Sequence, residues 1–161
     1  MIDIRKEVEQ RLSVLHGLQL SGVNRAADML TLSFGTLRPV TNFKGVVKHV
    51  GKWALHIQCT WRFEEEGSVV ATNADLVGSD EKAYATVDRL RERVVTLGAV
   101  SVNAVTATDD GGIVVSFSKA FRLVVAPDGI KDAEDWRFFA PGLNAAHLVI
   151  EGGAVAPESF D

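Results

Sequence analysis

Residues 53–63 read Trp53-Ala54-Leu55-His56-Ile57-Gln58-Cys59-Thr60-Trp61-Arg62-Phe63. Every odd position in this stretch is apolar, whereas most of the even positions are polar. Successive side chains of a β-strand point to opposite faces of a sheet, so this alternation is typical of a strand with one buried and one solvated face. The stretch therefore predicts one long strand whose odd positions belong to a hydrophobic core.

The residues before this stretch predict a helix followed by two strands. Apolar residues recur on one helical face at Ile4, Val8, Leu12 and Leu15, which predicts a helix over residues 3–16. Asp3 is its expected N-cap and Gly17 its expected C-cap. Further elements are expected as strands at 18–23 and 29–34, a hairpin turn at 24–28, and an irregular excursion at 35–52 with a short strand at 46–50.

The residues after it repeat this order of elements. A turn at 64–67 and a return strand at 69–73 come first. The pattern then predicts a second helix at 81–97, strands at 100–106, 113–118 and 121–126, a segment ending in Trp136-Arg137-Phe138-Phe139, and a last short strand at 147–150.

Equivalent residues of the two halves share nearly constant offsets. Val8, Leu12 and Leu15 correspond to Leu90, Val94 and Leu97 at 82 positions, and the 30–34 strand corresponds to 113–117 at 83. The sequence predicts an α+β fold of two helix-plus-antiparallel-strand halves, with a mostly antiparallel sheet and a pseudo-twofold internal duplication. Two merely similar halves remain the alternative. We expect a single domain over 1–161, with halves at 1–78 and 79–151 and a flexible tail at 152–161.

The tripeptide Trp-Arg-Phe occurs twice, at residues 61–63 and 136–138. Its copies lie 75 positions apart, so they need not be equivalent in the repeat. Trp61 continues an apolar face, which predicts its burial. Trp136, Arg137 and Phe139 lie beside an acidic loop, and an exposed aromatic residue next to arginine is typical of a binding surface. The 128–142 segment is therefore a candidate partner-binding surface.

The composition favours a protein without nucleic-acid or membrane partners. The formal net charge is −4, and the basic residues Arg38, Lys44, Lys48, His49 and Lys52 are expected to be a solvated connection. No apolar run approaches the roughly 18–20 residues that span a bilayer. A single cysteine excludes an intramolecular disulfide. We expect a cytoplasmic protein.

The polar face of the 53–63 strand is the best candidate binding site. His56, Gln58, Thr60 and Arg62 would stand in a row, where histidine exchanges protons near neutral pH and arginine binds carboxylate or phosphate. The same pattern also arises from a solvated sheet face without function. His56 and Cys59 would point to opposite faces, so a metal site is not expected, and Cys59 is expected in the core. No cofactor motif or catalytic residue is predicted, which leaves enzymatic activity undecided.

Residues 53–62 together with Glu134-Asp135-Trp136-Arg137-Phe138-Phe139 resemble a group of small bacterial proteins of unassigned function, and the similarity covers most of the chain. This resemblance implies an intact single domain and no particular activity. Some bacterial proteins of this size and layout are immunity proteins or are associated with polymorphic toxins, a fold-level analogy.

Two functions are therefore expected as alternatives. The first is a non-catalytic protein that binds another macromolecule, with an immunity-type protein as one example and a protein partner or a homodimer as the complex. The second is a small-molecule binder or enzyme that uses the row from His56 to Arg62. A closed pocket lined by that row would favour the second. A flat solvated face would favour the first.

Overall fold

The computed structural model describes residues 3–161. This part of the chain contains two α-helices and thirteen β-strands. Residues 1 and 2 of the predicted domain lie outside the described residues. Helix α1 spans Ile4–Leu12 and α2 spans Asp80–Arg91; a 3-10 turn extends the first to Leu15 and a π-helical turn extends the second to Thr96. Asp3 is the predicted N-cap and accepts from the Lys6 amide (3.3 Å).

The first seven strands are β1 Leu20–Ala26, β2 Met29–Phe34, β3 Arg38–Thr41, β4 Val47–Val50, β5 Trp53–Ile57, β6 Thr60–Glu65 and β7 Ser68–Thr72. The other six are β8 Val102–Ala107, β9 Ile113–Phe117, β10 Phe121–Ala126, β11 Glu134–Phe139, β12 Leu148–Glu151 and β13 Ala154–Val155. All pairings between these strands are antiparallel. The α+β class with mostly antiparallel sheet is therefore confirmed.

The strands form two large sheets and one ribbon. The larger sheet has the order β1-β2-β5-β11-β12-β13, and the smaller has the order β7-β6-β10-β9-β8. Strands β3 and β4 pair only with each other, as a hairpin within the predicted excursion. The turn between β1 and β2 is shorter than expected, because Ala26 pairs with Met29 and leaves only two residues between the strands.

The prediction of one continuous strand over 53–63 is wrong. Strand β5 belongs to the six-stranded sheet and β6 to the five-stranded sheet. Between them the amides of Gln58 and Cys59 both donate to the carbonyl oxygen of Asp135 (2.8 and 3.1 Å). Strands that pass from one packed sheet to another do so at a bend of this kind. The alternation of burial continues across the bend, so the same apolar face contacts the core in both sheets.

The two sheets have matching registers across their central strands. Leu30, Ile57 and Trp136 lie side by side in the larger sheet, as Ile113, Val125 and Trp61 do in the smaller one. Two positions along the strands, the next row of the larger sheet is Leu32, Leu55 and Phe138, and the next row of the smaller sheet is Val115, Leu123 and Phe63. The two Trp-Arg-Phe copies therefore occupy the same place in their sheets, although their sequence offset differs from that of the helices.

Each sheet combines strands from both predicted halves. Strands β1, β2 and β5 pair onward to β11 of the second half, and β8, β9 and β10 pair onward to β6 of the first. The helices are exchanged in the same way, because α1 packs on β8 and α2 packs on β1. The sheets meet where Leu20 N donates to Val100 O (3.0 Å) and Val102 N donates to Leu18 O (2.8 Å). These two bonds are related by the offset of 82.

Both repeated tryptophans are core residues. Trp61 is 1% exposed, as predicted, and Trp136 is 0% exposed. The indole N–H of Trp136 donates to the carbonyl oxygen of Gly111 (2.8 Å). The indole N–H of Trp61 is also buried, but it has no hydrogen-bond partner among residues 3–161. The larger side chains of both sheets belong to one hydrophobic cluster.

Residues 152–161, expected to be a flexible tail, fold back onto the larger sheet. Gly152 and Gly153 both have positive φ and form the turn that returns β13 to β12. A 3-10 turn then covers Pro157–Phe160 and buries Ser159 completely, where its hydroxyl accepts from the Val149 amide (2.9 Å). Arg11 of α1 donates to the Ser159 carbonyl (2.8 Å). These contacts fix the segment to the sheet.

Candidate functional site

The predicted row from His56 to Arg62 does not form one surface. The bend at Gln58 and Cys59 places His56 in the larger sheet and Arg62 in the smaller one. Thr60 donates to the Asp128 carboxylate (2.7 Å) and lies beside the loop before β11. A row on one strand would need both ends in the same sheet, so this candidate site is corrected to two separate surfaces.

Arg62 belongs to a carboxylate cluster on the smaller sheet. Glu64 has a side chain only 7% exposed, and its two oxygens accept from Arg62 and from Arg122. Hydrogen bonds from these guanidinium groups lower the pKa of the Glu64 carboxyl below its ordinary value. Both arginines bind this one carboxylate, so the cluster stabilises the sheet surface and carries one more positive than negative charge.

His56 instead joins a cluster on the larger sheet that we call the histidine cluster (His56, Glu134, Arg137, Phe139 and His147). The Phe139 ring contacts the His56 ring edge-to-face, with centroids 4.8 Å apart, and stacks on the His147 ring at 4.4 Å. Arg137 donates to Glu134 Oε1 through two nitrogens, Nε at 3.2 Å and Nη2 at 2.7 Å. Gln58 donates to the other oxygen of Glu134 (3.0 Å).

The electrostatics of this cluster favour neutral imidazoles. Burial lowers the pKa of His56, and burial together with the Arg137 guanidinium lowers the pKa of His147. Arg137 Nη1 lies 3.0 Å from His147 Nδ1, and an arginine can only donate. His147 therefore accepts at Nδ1 and carries its proton on Nε2. The cluster positions side chains, but it holds no serine, threonine or cysteine nucleophile.

Trp136 cannot contact a partner from the surface, which corrects its prediction as a binding residue. Its position on β11 faces the core, as does that of Phe138, whereas Arg137 and Phe139 face outward and are half-buried. Four of the seven predicted site residues, His56, Gln58, Arg137 and Phe139, thus lie close together. Glu134 and His147 link them, and no pattern in the sequence distinguishes these two residues from ordinary loop or strand residues.

Burial makes Cys59 a core residue, as predicted. Its side chain is 3% exposed, and burial raises the pKa of its thiol to about 12. Among residues 3–161, no group of three or more histidines, cysteines, aspartates or glutamates is placed to hold a metal ion. None of the helices in the described part of the chain is long and apolar enough to span a membrane.

The hairpin of β3 and β4 forms an exposed basic arm that we call the ribbon (residues 38–52). Phe43 at its tip is 95% exposed, and Val46 and Val47 are about half exposed. The ribbon carries Arg38, Lys44, Lys48 and Lys52, whereas no aspartate or glutamate occurs between Asp28 and Glu64. The sequence predicts a solvated connection for this stretch. The absence of acidic residues over this stretch is the signal that could have distinguished it.

A cleft of about 590 Å³ separates the ribbon from the outer face of the larger sheet. We call it the ribbon cleft. Its floor is formed by β1, β2 and β5, and its rim by β4, Phe139 and Pro141. His56 is the one member of the predicted row that lines it. Arg25 borders the cleft, but its guanidinium binds Asp80 (3.1 Å) and covers the Tyr84 ring.

No protein-family model, curated protein or solved structure matches this chain.

Proposed function

We propose that the protein is a non-catalytic binding protein whose docking element is the ribbon, and that its partner is a protein with an acidic surface. The observation that carries this proposal is Phe43, an aromatic side chain 95% exposed at the tip of a two-stranded arm. Exposing a phenylalanine to water is unfavourable, and aromatic anchors dominate the energetics of protein interfaces.

The charge of the ribbon supports a partner of this chemistry. The ribbon holds four of the 17 lysines and arginines and none of the 21 acidic residues, which leaves a formal charge of −8 on the rest of the chain. A nucleic acid or an anionic membrane would be repelled by that remainder, because both are extended arrays of negative charge. A folded protein can present a local acidic patch to the ribbon alone. An immunity-type function falls within this class, and its partner would be a toxin with such a patch.

A matched pair of variants tests the ribbon. Phe43→Ala/Lys44→Glu removes the anchor and reverses one charge, whereas Ile130→Ala/Lys131→Glu makes the same changes at an exposed apolar–basic pair elsewhere. We expect wild type and the control variant to capture one stoichiometric protein from the source organism, and the ribbon variant to lose it. Titration of that purified protein should then weaken with added salt. Equal binding by all three chains, or binding only to nucleic acid, vesicles or the chain itself, would overturn the proposal.

We also propose that the two halves arose by internal duplication of a helix-and-five-strand unit. Three observations support it: the order β1-β2-β5-β11-β12 corresponds to β8-β9-β10-β6-β7, the rows around Trp61 and Trp136 match, and the bonds at Leu20 and Val102 are paired. The two halves exchange strands and helices, which is the arrangement expected if the ancestor was a dimer of identical chains that swapped these elements. The proposal predicts relatives the length of one half that form such a dimer. Half-length relatives that fold with a different strand order would contradict it.

A further inference from the structure

The ribbon cleft collects polar groups that the protein itself leaves unused. Thr31, Ser33 and His56 lie on its floor and Lys48 on its ribbon wall, whereas His49, the next residue of the same strand, points to the opposite face of the ribbon. Among residues 3–161 none of the side chains of Thr31, Ser33, His56 and Lys48 takes part in a hydrogen bond or an ion pair, although other polar side chains of the same sheet do. Their donors therefore point into a space that only solvent or a ligand can fill.

The cleft has positive but no negative charge. Lys48 is its single ammonium group, and no aspartate or glutamate belongs to its lining. Two arginines lie at the cleft: Arg25 belongs to its lining but binds Asp80, which leaves only its Nε without a partner among the described residues, and Arg38 donates to the Pro141 carbonyl. A dianionic phosphate prefers the planar fork of arginine. One lysine beside hydroxyl and imidazole donors suits a singly charged anion better.

The remainder of the lining is apolar. Met29, Val50, Phe139 and Pro141 lie around the polar groups, and the volume of about 590 Å³ falls in the range of small-molecule sites. We propose that the ribbon cleft binds an organic monoanion, such as a carboxylate or sulfonate, with an aromatic or aliphatic body. The anionic group lies between Lys48 and the donors of β2, and the body packs against Phe139 and Val50.

This site shares Lys48 with the basic ribbon but does not include the anchor residues of the proposed protein docking. The docking residues Phe43 and Lys44 lie at the exposed tip of the ribbon and do not line the cleft. A variant at the tip can therefore abolish partner binding without changing the cleft. Failure of either proposal leaves the other one to be judged on its own measurements.

The test uses 1-anilinonaphthalene-8-sulfonate, an organic monoanion with an aromatic body whose fluorescence rises on transfer from water to an apolar site. We expect saturable binding with one site per chain, competition by benzoate, and no competition by inorganic phosphate at equal ionic strength. The uncharged analogue N-phenyl-1-naphthylamine should bind about tenfold more weakly, since it lacks the charge that faces Lys48.

Two charge-reversal variants locate the site. Lys48→Glu should weaken sulfonate binding about tenfold or more, whereas Lys52→Glu, an equal change at an exposed lysine outside the lining, should leave it unchanged. Amide resonances of residues 31–33 and 54–56 should shift on titration of the wild type. Circular dichroism checks that both variants stay folded; if Lys48→Glu does not, Lys48→Gln replaces it. Unsaturable binding, equal loss in both variants, or shifts confined to other residues would overturn the proposal.

Discussion

Replacing each of the two repeated tryptophans by phenylalanine isolates one buried hydrogen bond. Trp61→Phe and Trp136→Phe remove the same atoms from equivalent positions of the two sheets, and both wild-type side chains are at most 1% exposed. The loss of packing is therefore similar in the two variants. The difference between the two positions is the indole N–H, which donates to Gly111 O at Trp136 and has no partner in the described chain at Trp61.

The sign and size of the difference follow from that donor. Trp136→Phe loses a buried hydrogen bond worth about 1 kcal/mol and leaves a carbonyl without its partner, at a further cost of about 1 kcal/mol or more. Trp61→Phe removes a buried donor that was already unpaired, which recovers about 1–3 kcal/mol of desolvation cost and offsets part of the lost packing. We expect Trp136→Phe to be less stable than Trp61→Phe by about 3–5 kcal/mol.

Urea unfolding followed by far-ultraviolet circular dichroism measures this difference without relying on tryptophan fluorescence, which both variants alter. Equal m-values would show that the two variants unfold the same amount of surface. The midpoint temperatures should differ by about 6–20 °C in the same direction, because 1 kcal/mol shifts the midpoint by about 2–4 °C in a domain of this size. Equal stabilities, or a less stable Trp61→Phe, would refute the assignment of the two indole N–H groups.

Three further outcomes follow from buried polar groups. Cys59, with a thiol pKa of about 12, should react with Ellman's reagent at pH 8 far more slowly in the folded protein than in urea; equal rates would contradict its burial. Because the pKa of Glu64 is lowered, wild type should be more stable than Glu64→Gln at pH values above 4.5, the ordinary pKa of the carboxyl. Acid unfolding curves should show this advantage shrinking as pH falls through the folded-state pKa. A difference that stays constant with pH would contradict the arginine contacts. The Asp135 carboxylate accepts from the amides of Asp128 (3.0 Å) and Gly153 (2.8 Å). Asp135→Ala should therefore lower the free energy of unfolding in urea by about 2–4 kcal/mol. The control Asp28→Ala, at an exposed aspartate, should lower it by less than about 0.5 kcal/mol.

The candidate site was only partly predictable, for a reason that the histidine cluster shows. The sequence predicts His56 and Arg137 as binding residues on two separate strands, and they are neighbours because β5 pairs with β11. That pairing joins residues about 80 positions apart, and nothing in either segment specifies it. Glu134 belongs to the cluster because it lies on β11, and His147 belongs to it because it directly precedes β12, the other neighbour of β11. The ribbon differs, since its lack of acidic residues is visible in the sequence.

Over residues 53–63 the sequence by itself determined which face is buried, because the period-two alternation assigns each residue to a face whichever strands lie beside it. It also determined the two helices and the α+β class, through helical periodicity and capping. Only the tertiary structure decided that these residues form two strands in two sheets, and that Trp61 and Trp136 are equivalent. The physical reason is that sheet membership depends on hydrogen bonds to distant strands, such as those from Gln58 and Cys59 to Asp135, and alternation is the same in either sheet.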